Sequence, residues 1–574
     1  MARSMSQCFP RTPFWGLVAH FIKRLLAGED DQNAESMSLG LGTVLAILAC
    51  PGAFASIFLM DKYSTLLQFL RGQRNFNPYR ASVSDEYFFV VLSMTITGLI
   101  MVLRWNRLFP DRRDFANLAV LPIPIRNIFL ANFTALFGLA LLFGIDVNAV
   151  SSFLFPLFVS IGDDSASAFL HVAVSHVAAV FSASLFSFFG VLALVGVLML
   201  VLPKRLFRPV SILVRLLLVV GLLTEFFSNL FLQLLAGSLP KHPEAYMRLL
   251  PSFWFLGVYE NVARLASPAM ARMGRQAVIA LAAAVVLAIL SYTLCYRRHF
   301  LRLSESLELV GGARRRFRLT LPAGMQKRLF RSEFEHACDS FVFKVLFRSE
   351  RHLLFFGGYL GIGLVIVAQT AMDSAHGAQA FLPNADLLAV PLMIAFFAVT
   401  GLRFVFDIPA MLDANWIFRL AVINPSPPVN SIVRRLMLGS VLPWALLLLP
   451  LTARYGWLVA CAHTAAVMAL TALLIDILLL RYRKIPFTCR SRPETRQLMM
   501  RVLGFIFSVL IVVPMVADCE RWMLGNPYRF VLFPILLAFA WYLLRRYRQG
   551  MLESDRALIF EEQPASAFEL LNLA

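Results

Sequence analysis

Ionisable side chains inside long apolar runs are the first places to look for chemistry, because a charge in hydrocarbon is costly and is retained there for a reason. Glu225 stands in the middle of one such run, Leu223-Thr-Glu-Phe-Phe-Ser228. Arg215 lies ten residues earlier on the same run, nearly three turns away, so the two cannot pair within one helix. Glu225 is thus either a carboxylate facing a cation or substrate, or an acid that is protonated or bonded to a neighbouring helix. Asp476 sits close to Arg481 near the end of its run, where a local ion pair or a reach to the headgroups accounts for it. His171 and His176 are five apart and do not share a helical face, so with Asp163 and Asp164 they make a poor metal site. Cys338 beside His336 lacks the ligand spacing of a zinc site. The seven cysteines are odd in number and scattered, which argues against a disulfide framework. Gly311-Gly312 is followed by Ala313 and Arg314 and lacks the spacing of a phosphate-binding loop. With no nucleophile elbow, no Ser-x-x-Lys and no H-E-x-x-H, the chain reads as a conduit and not an enzyme, with no metal or cofactor expected.

The elements that carry these residues are set by composition. Of 574 residues, 59% are apolar and only 15% charged, against about 45–50% and about 25% in soluble domains. A crossing helix needs about 20 mostly apolar residues. Twelve runs qualify: 39–60, 87–103, 127–145, 172–202, 212–236 and 277–296, then 353–371, 387–406, 437–451, 456–480, 502–517 and 530–544. The expectation is an all-α polytopic membrane protein with about 12 transmembrane helices in a 6+6 tandem repeat. No cleaved signal peptide is evident.

Charge sets the expected orientation. With both termini cytoplasmic, the inner segments hold 40 of the 53 Lys and Arg and the outer loops 12. Arg297-Arg298 and Arg314-Arg315-Arg316 read as topology signals facing anionic lipid, so the net charge of +19 needs no nucleic acid. The chain then divides into a cytoplasmic segment 1–38, a first membrane half 39–296, a basic linker 297–352, a second half 353–544 and a cytoplasmic tail 545–574. Residues Phe14, Val18, Phe21, Ile22 and Leu25 form one face of an amphipathic helix before the first half. A second such helix, with Phe330, Phe334, Ala337, Phe341 and Val345, precedes the second half.

The loops after the second span of each half also correspond. One contains Phe109-Pro-Asp-Arg-Arg-Asp-Phe-Ala-Asn-Leu-Ala-Val-Leu-Pro-Ile-Pro124; the other contains Asp407-Ile-Pro-Ala-Met-Leu-Asp-Ala-Asn-Trp-Ile-Phe-Arg-Leu-Ala-Val-Ile-Asn-Pro425. Both place charged or amide residues before a short aromatic-apolar helix, then Leu-Ala-Val, then a proline stop. At these residues the chain resembles a permease of the type-2 ABC exporter class. That resemblance implies a surface elbow helix, six spans per half, and a coupling helix in each of these loops. It also implies a larger outside segment before the sixth span, which 237–276 with Pro251-Ser-Phe-Trp-Phe255 fits. The coupling residues it implies are Phe109, Asp111, Asp114, Phe115, Leu118 and Pro122 in the first copy. In the second they are Asp413, Asn415, Trp416 and Arg419. The second copy departs from the first, with Asn415-Trp416 where Asp114-Phe115 stand.

The function implied is a plasma (inner) membrane permease in an ATP-driven exporter, with separate nucleotide-binding ATPase subunits as partners and the lipid bilayer as its surroundings. A Phe-rich, charge-poor interior suits a hydrophobic or lipid-like substrate. The alternative is an ion-coupled secondary transporter working through Glu225. A third option, a membrane enzyme using the 238–276 loop, has only Glu244 and Glu260 as acids there.

Overall fold

The first helix, α1 (Pro13–Leu26), buries Leu17, Val18, Phe21 and Leu25 and leaves His20 and Lys23 in the open. Its apolar stripe packs against a long apolar helix, α4 (Ile125–Val159). In this computed structural model the described residues are 13–26, 49–60, 62–63, 77–109, 123–161, 165–236, 248–295, 333–375, 383–410, 412, 415, 429–453, 455–480, 482, 484–489 and 495–552. The regular elements among them are helical, and the protein is an all-α polytopic membrane protein. The chain forms two compact units, Met1–Arg314 and Arg315–Ala574, whose boundary falls in the basic segment between the apolar runs.

In the first unit, α2 (Ala49–Met60) is followed by α3 (Pro78–Leu103). The start of α3 is fixed by Asn77, whose side chain accepts the Arg80 N–H, and by proline at its first position. After α4 come α5 (Ala166–Val201), capped by Ser165, and α6 (Lys204–Ala236). The short α7 (Pro251–Val262) turns back into α8 (Pro268–Cys295). The centre of the unit is α5, which packs against α3, α4, α7 and α8. The hairpin of α7 and α8 closes on two glycines: a Cβ on Gly274 would lie 2.6 Å from the Gly257 carbonyl oxygen. Small residues let helix backbones approach this closely where lipid supplies no hydrophobic drive between helices.

The second unit begins with α9 (Glu333–Arg348) and α10 (Glu350–Ala375), followed by α11 (Ala385–Val405), α12 (Val429–Ala453) and α13 (Trp457–Leu478). The buried stripe of α9 is Cys338, Val342 and Leu346, one position on from the expected face; Ala337 is exposed, Phe341 and Val345 are half-buried, and the side chains of Phe330 and Phe334 lie outside the described ones. Then α14 (Thr495–Phe507) runs through a wide π-helical turn, Ser508–Val512, into α15 (Val513–Leu524). Pro514 has no N–H to donate back to the preceding turn, which favours the wider turn just before it. The chain continues through α16 (Pro527–Phe530) to α17 (Leu532–Leu552). Here the central element is α11, with 83% of its most apolar stretch buried against α10, α12, α13 and α15.

Ten helices among the described residues are long and apolar enough to cross a membrane. They match ten of the twelve expected spans. The other two, 39–60 and 437–451, correspond to Ala49–Met60 and to part of α12, and neither is among those ten. Several spans run longer than their apolar runs suggested: α4 continues to Val159, and α3 begins at Pro78, well before residue 87. Large apolar side chains on their outer faces, such as Leu217, Ile279, Leu446 and Phe539, are exposed as lipid contact requires.

Candidate functional site

Of the expected coupling residues, only Phe109 and Asn415 are described; Asp111, Asp114, Phe115, Leu118, Pro122, Asp413, Trp416 and Arg419 lie outside the described residues. Both described ones sit at the base of their loop, and both are tied down. Phe109 is buried and stacks on Tyr292 of α8, ring centroids 4.9 Å apart and 28° between planes. Next to it, the Leu108 carbonyl accepts the Asn132 side-chain amide of α4 at 3.0 Å, and the same amide reaches the Tyr292 hydroxyl at 3.0 Å. Trp105, one turn earlier, lies under the Arg215 guanidinium of α6 at 5.8 Å. The loop after α3 therefore leaves from a floor made by α4, α6 and α8.

In the second unit Asn415 is 2% exposed, and its side-chain amide donates to the Thr488 carbonyl at 2.8 Å. Phe487 joins the same segment: its N–H donates to Phe406 and its carbonyl accepts from Ala410, each at 3.0 Å. Its ring is fully buried among Phe341, His352 and Phe406 although its φ is +68°, a backbone setting that β-carbon-bearing residues seldom adopt. The His352 ring N–H donates to the Ile408 carbonyl at 3.0 Å. Asp407 gathers Arg403 at 2.7 Å and Lys484 at 2.6 Å. The base of the loop after α11 is thus held by α9, α10 and the segment after α13.

Glu225 accepts the hydroxyl of Ser252, at the first turn of α7, and Ser252 lies 3.3 Å from the Tyr87 hydroxyl. Tyr87 in turn stacks on Phe253 at 4.3 Å. Asp476 is bonded by Trp541 Nε1 at 2.8 Å and paired with Arg434 at 3.3 Å; Arg481 lies outside the described residues. His171 is exposed and His176 buried, so the structure separates them, and Asp163 and Asp164 lie outside the described residues. Among the described residues no group of three His, Cys, Asp or Glu could hold a metal. Burial and the neighbouring Asp339 push the Cys338 thiol up to about 11, which leaves it in its unreactive form.

Three polar clusters have no counterpart among the sequence expectations. Glu86 on α3 and His176 on α5 are both fully buried, with Nδ1 and Oε2 2.6 Å apart. His176 Nε2 lies 3.3 Å from the Ser151 hydroxyl, and the rings of Phe89 and Phe155 flank the imidazole. On the preceding residue, Asp85 holds Lys62 at 2.8 Å and accepts the Tyr63 hydroxyl at 2.5 Å. In the second unit His463 on α13 and Glu520 on α15 form a like pair at 2.8 Å, each 2% exposed. His463 lines a narrow crevice with Pro391, Thr452 and Thr464. Glu86 lies just before the apolar run that begins at 87, and Glu520 just after the one that ends at 517; the helices extend past both. A carboxylate within the first or last turns of an apolar run, facing a lone histidine in another, is the signal that would have found them.

No protein-family model matches this chain, and neither a curated protein nor a solved structure matches it.

Proposed function

We propose that this chain is the membrane-spanning permease of an ATP-driven exporter, its ATPase subunits supplied by a separate chain. One observation carries the reading. In each unit, the loop that follows the helix after the first long turn is anchored at its base to several other helices of that unit. A loop that only joined two spans would need no such brace. A loop pushed by a partner needs one, because the push must reach the spans as a rigid-body movement and not be lost in local bending. In the first unit a displacement at Leu108 and Phe109 bears directly on α4 and α8. In the second, a displacement at Ile408 or Asn415 bears on α10 and on the segment 485–489. The amphipathic helix α1 suits the elbow position at a membrane surface.

In this reading the chain has twelve spans in two six-span halves, lies in the plasma (inner) membrane with both termini inside, and moves a hydrophobic or lipid-like substrate. Ion-coupled transport through Glu225 draws less support, since that carboxylate already links α6 to α7 through Ser252. The test is purification of the tagged chain in mild detergent and in native-lipid nanodiscs, with mass spectrometry of what accompanies it. A P-loop ATPase that accompanies the wild type and is lost with Asp111→Ala/Asp114→Ala/Leu118→Ala is the expected result. Absence of any ATPase from both preparations would overturn the reading.

A further inference from the structure

The two buried imidazole–carboxylate pairs have no task in the exporter reading, and their chemistry points elsewhere. We infer that Glu86–His176 and His463–Glu520 are proton-binding sites, one in each unit, each of which takes up and releases a single proton.

The argument starts from what a structural link between spans requires. The first unit already contains a neutral one: the Ser93 hydroxyl of α3 donates to the Asn148 side chain of α4, and both residues are buried. An amide and a hydroxyl join two helices in lipid without placing an ionisable group there. The pairs at Glu86 and Glu520 use two titratable groups for the same span-to-span contact, and in doing so accept the desolvation cost of charge. With one proton shared between carboxylate and imidazole, each pair is neutral overall and suits its apolar surroundings. Loss of that proton leaves a lone buried carboxylate beside a neutral imidazole. The two states differ by a full charge inside the helix packing, so proton occupancy and the spacing of α3 from α5, or of α13 from α15, must be linked.

Two details distinguish these pairs from saturated polar links. Among the described residues, buried Glu86 Oε1, Glu520 Oε2 and His463 Nε2 find no hydrogen-bond partner. Each unit therefore presents an acceptor atom to which a proton can go without displacing an existing bond. Other polar groups lie near each pair. In the first unit, partly exposed Lys62 and buried Tyr63 meet on Asp85, the chain neighbour of Glu86. In the second, His463 borders a narrow crevice with Thr452 and Thr464.

The groups that face these pairs set the pH response. Around Glu86 they are Asp85 on its own helix, His176 on α5, Lys62 and Tyr63 before α3, and Tyr259 on α7, with Glu260 next to Tyr259. Among the described residues the ionisable partner of Glu520 is His463. Among the described residues no three His, Cys, Asp or Glu gather to hold a metal, and a lone carboxylate–imidazole contact suits a proton.

The test is infrared difference spectroscopy of the purified full chain in nanodiscs, acid minus alkaline, which needs no transport substrate and no ATPase. Its outcome is therefore separate from that of the exporter reading. The wild type is expected to show the carbonyl stretch of a protonated carboxyl together with imidazole ring bands that move on isotope labelling of histidine. Glu86→Gln and Glu520→Gln should each remove a distinct part of both. A double variant, Glu86→Gln/Glu520→Gln, whose difference spectrum matches the wild type would overturn the inference. Where a Gln variant does not purify as a single species, the exchanged pair Glu86→His/His176→Glu keeps both groups in contact. It should retain the bands, and a well-behaved exchanged pair without them would equally overturn the inference.

Discussion

Substitution of Gly274 by alanine is the sharpest structural test of the hairpin that carries α7. A Cβ there would lie 2.6 Å from the Gly257 carbonyl oxygen and 2.8 Å from its carbonyl carbon, and would also strike the Asn261 side-chain amide. Two of these obstacles are backbone, so no rotamer change relieves them and α7 must move away from α8. Overpacking of this kind costs about 1–3 kcal/mol, and rigid backbone on the receiving side places it in the upper part of that range. Replacing glycine by alanine inside a helix returns about 1 kcal/mol, which leaves a net loss of about 2 kcal/mol at Gly274. Gly138 in α4 is the matched control, because a Cβ there meets nothing within 4 Å. Gly138→Ala should be neutral or stabilising, which opens a gap of about 3 kcal/mol between the two variants. Heating aliquots in detergent and following the surviving monodisperse fraction by size exclusion measures that gap. If Gly274→Ala survives heating as well as Gly138→Ala, the close approach of α7 and α8 is refuted, and with it the placement of Ser252 and Tyr259.

If the proposed exporter function holds, Asn132→Ala should leave the partner ATPase bound but uncouple it: co-purification persists while ATP-driven substrate movement falls, because the Leu108 carbonyl and the Tyr292 hydroxyl lose their shared donor. Its stability cost is about 1–3 kcal/mol, the usual range for stranding a buried polar group, measurable in the same heating assay. Phe487→Gly relieves a backbone strain of about 1–2 kcal/mol but removes a fully buried ring whose loss costs about 3–5 kcal/mol, so the variant should be less stable by about 2 kcal/mol. A variant as stable as the wild type would show that the ring contributes little. Burial pushes the Glu260 carboxyl from its usual 4.5 up to about 7, against a backbone hydrogen bond from Ser267 that favours its ionised form. Folded chain then holds a proton that unfolded chain gives up, so stability contributed at this site is greatest below the lower value and falls as pH rises toward the upper one. Thermal survival of the wild type should decline across that window more steeply than that of Glu260→Gln; equal slopes would place the carboxyl in solvent.

Sequence periodicity and hydropathy made the helices legible, since lipid demands long apolar runs whatever they pack against. The amphipathic face of α1 was read residue by residue, because Leu17 apart its buried side chains are the ones whose spacing stands out: Val18, Phe21 and Leu25. Helix ends were less legible. Apolar content stops where polar residues begin, but a helix continues as long as its backbone is bonded, so α3 takes in Asp85, Glu86 and Tyr87. Those three consecutive residues reach Lys62, His176 and Ser252 in turn, and hydropathy assigned the first two to a loop. Contacts between distant segments, such as Asn415 with Thr488 or Asn132 with Tyr292, had no signal at all in one sequence, because nothing local in it ties those residues to one another.

The wide turn at Ser508–Val512 has a consequence for how Glu520 is addressed. A π-helical turn holds one more residue than the α-helical turn it replaces, so the helix beyond it keeps the facing it would have had with one residue fewer. Should the same residues tighten into plain α-helix, everything from Val513 onward would rotate by about 100° and advance by about 1.5 Å. Glu520 would then turn off His463, and its neighbours would sweep past in its place. Removing one residue from the turn leaves Glu520 aimed where it is, while removing one residue between Val513 and Glu520 misaims it.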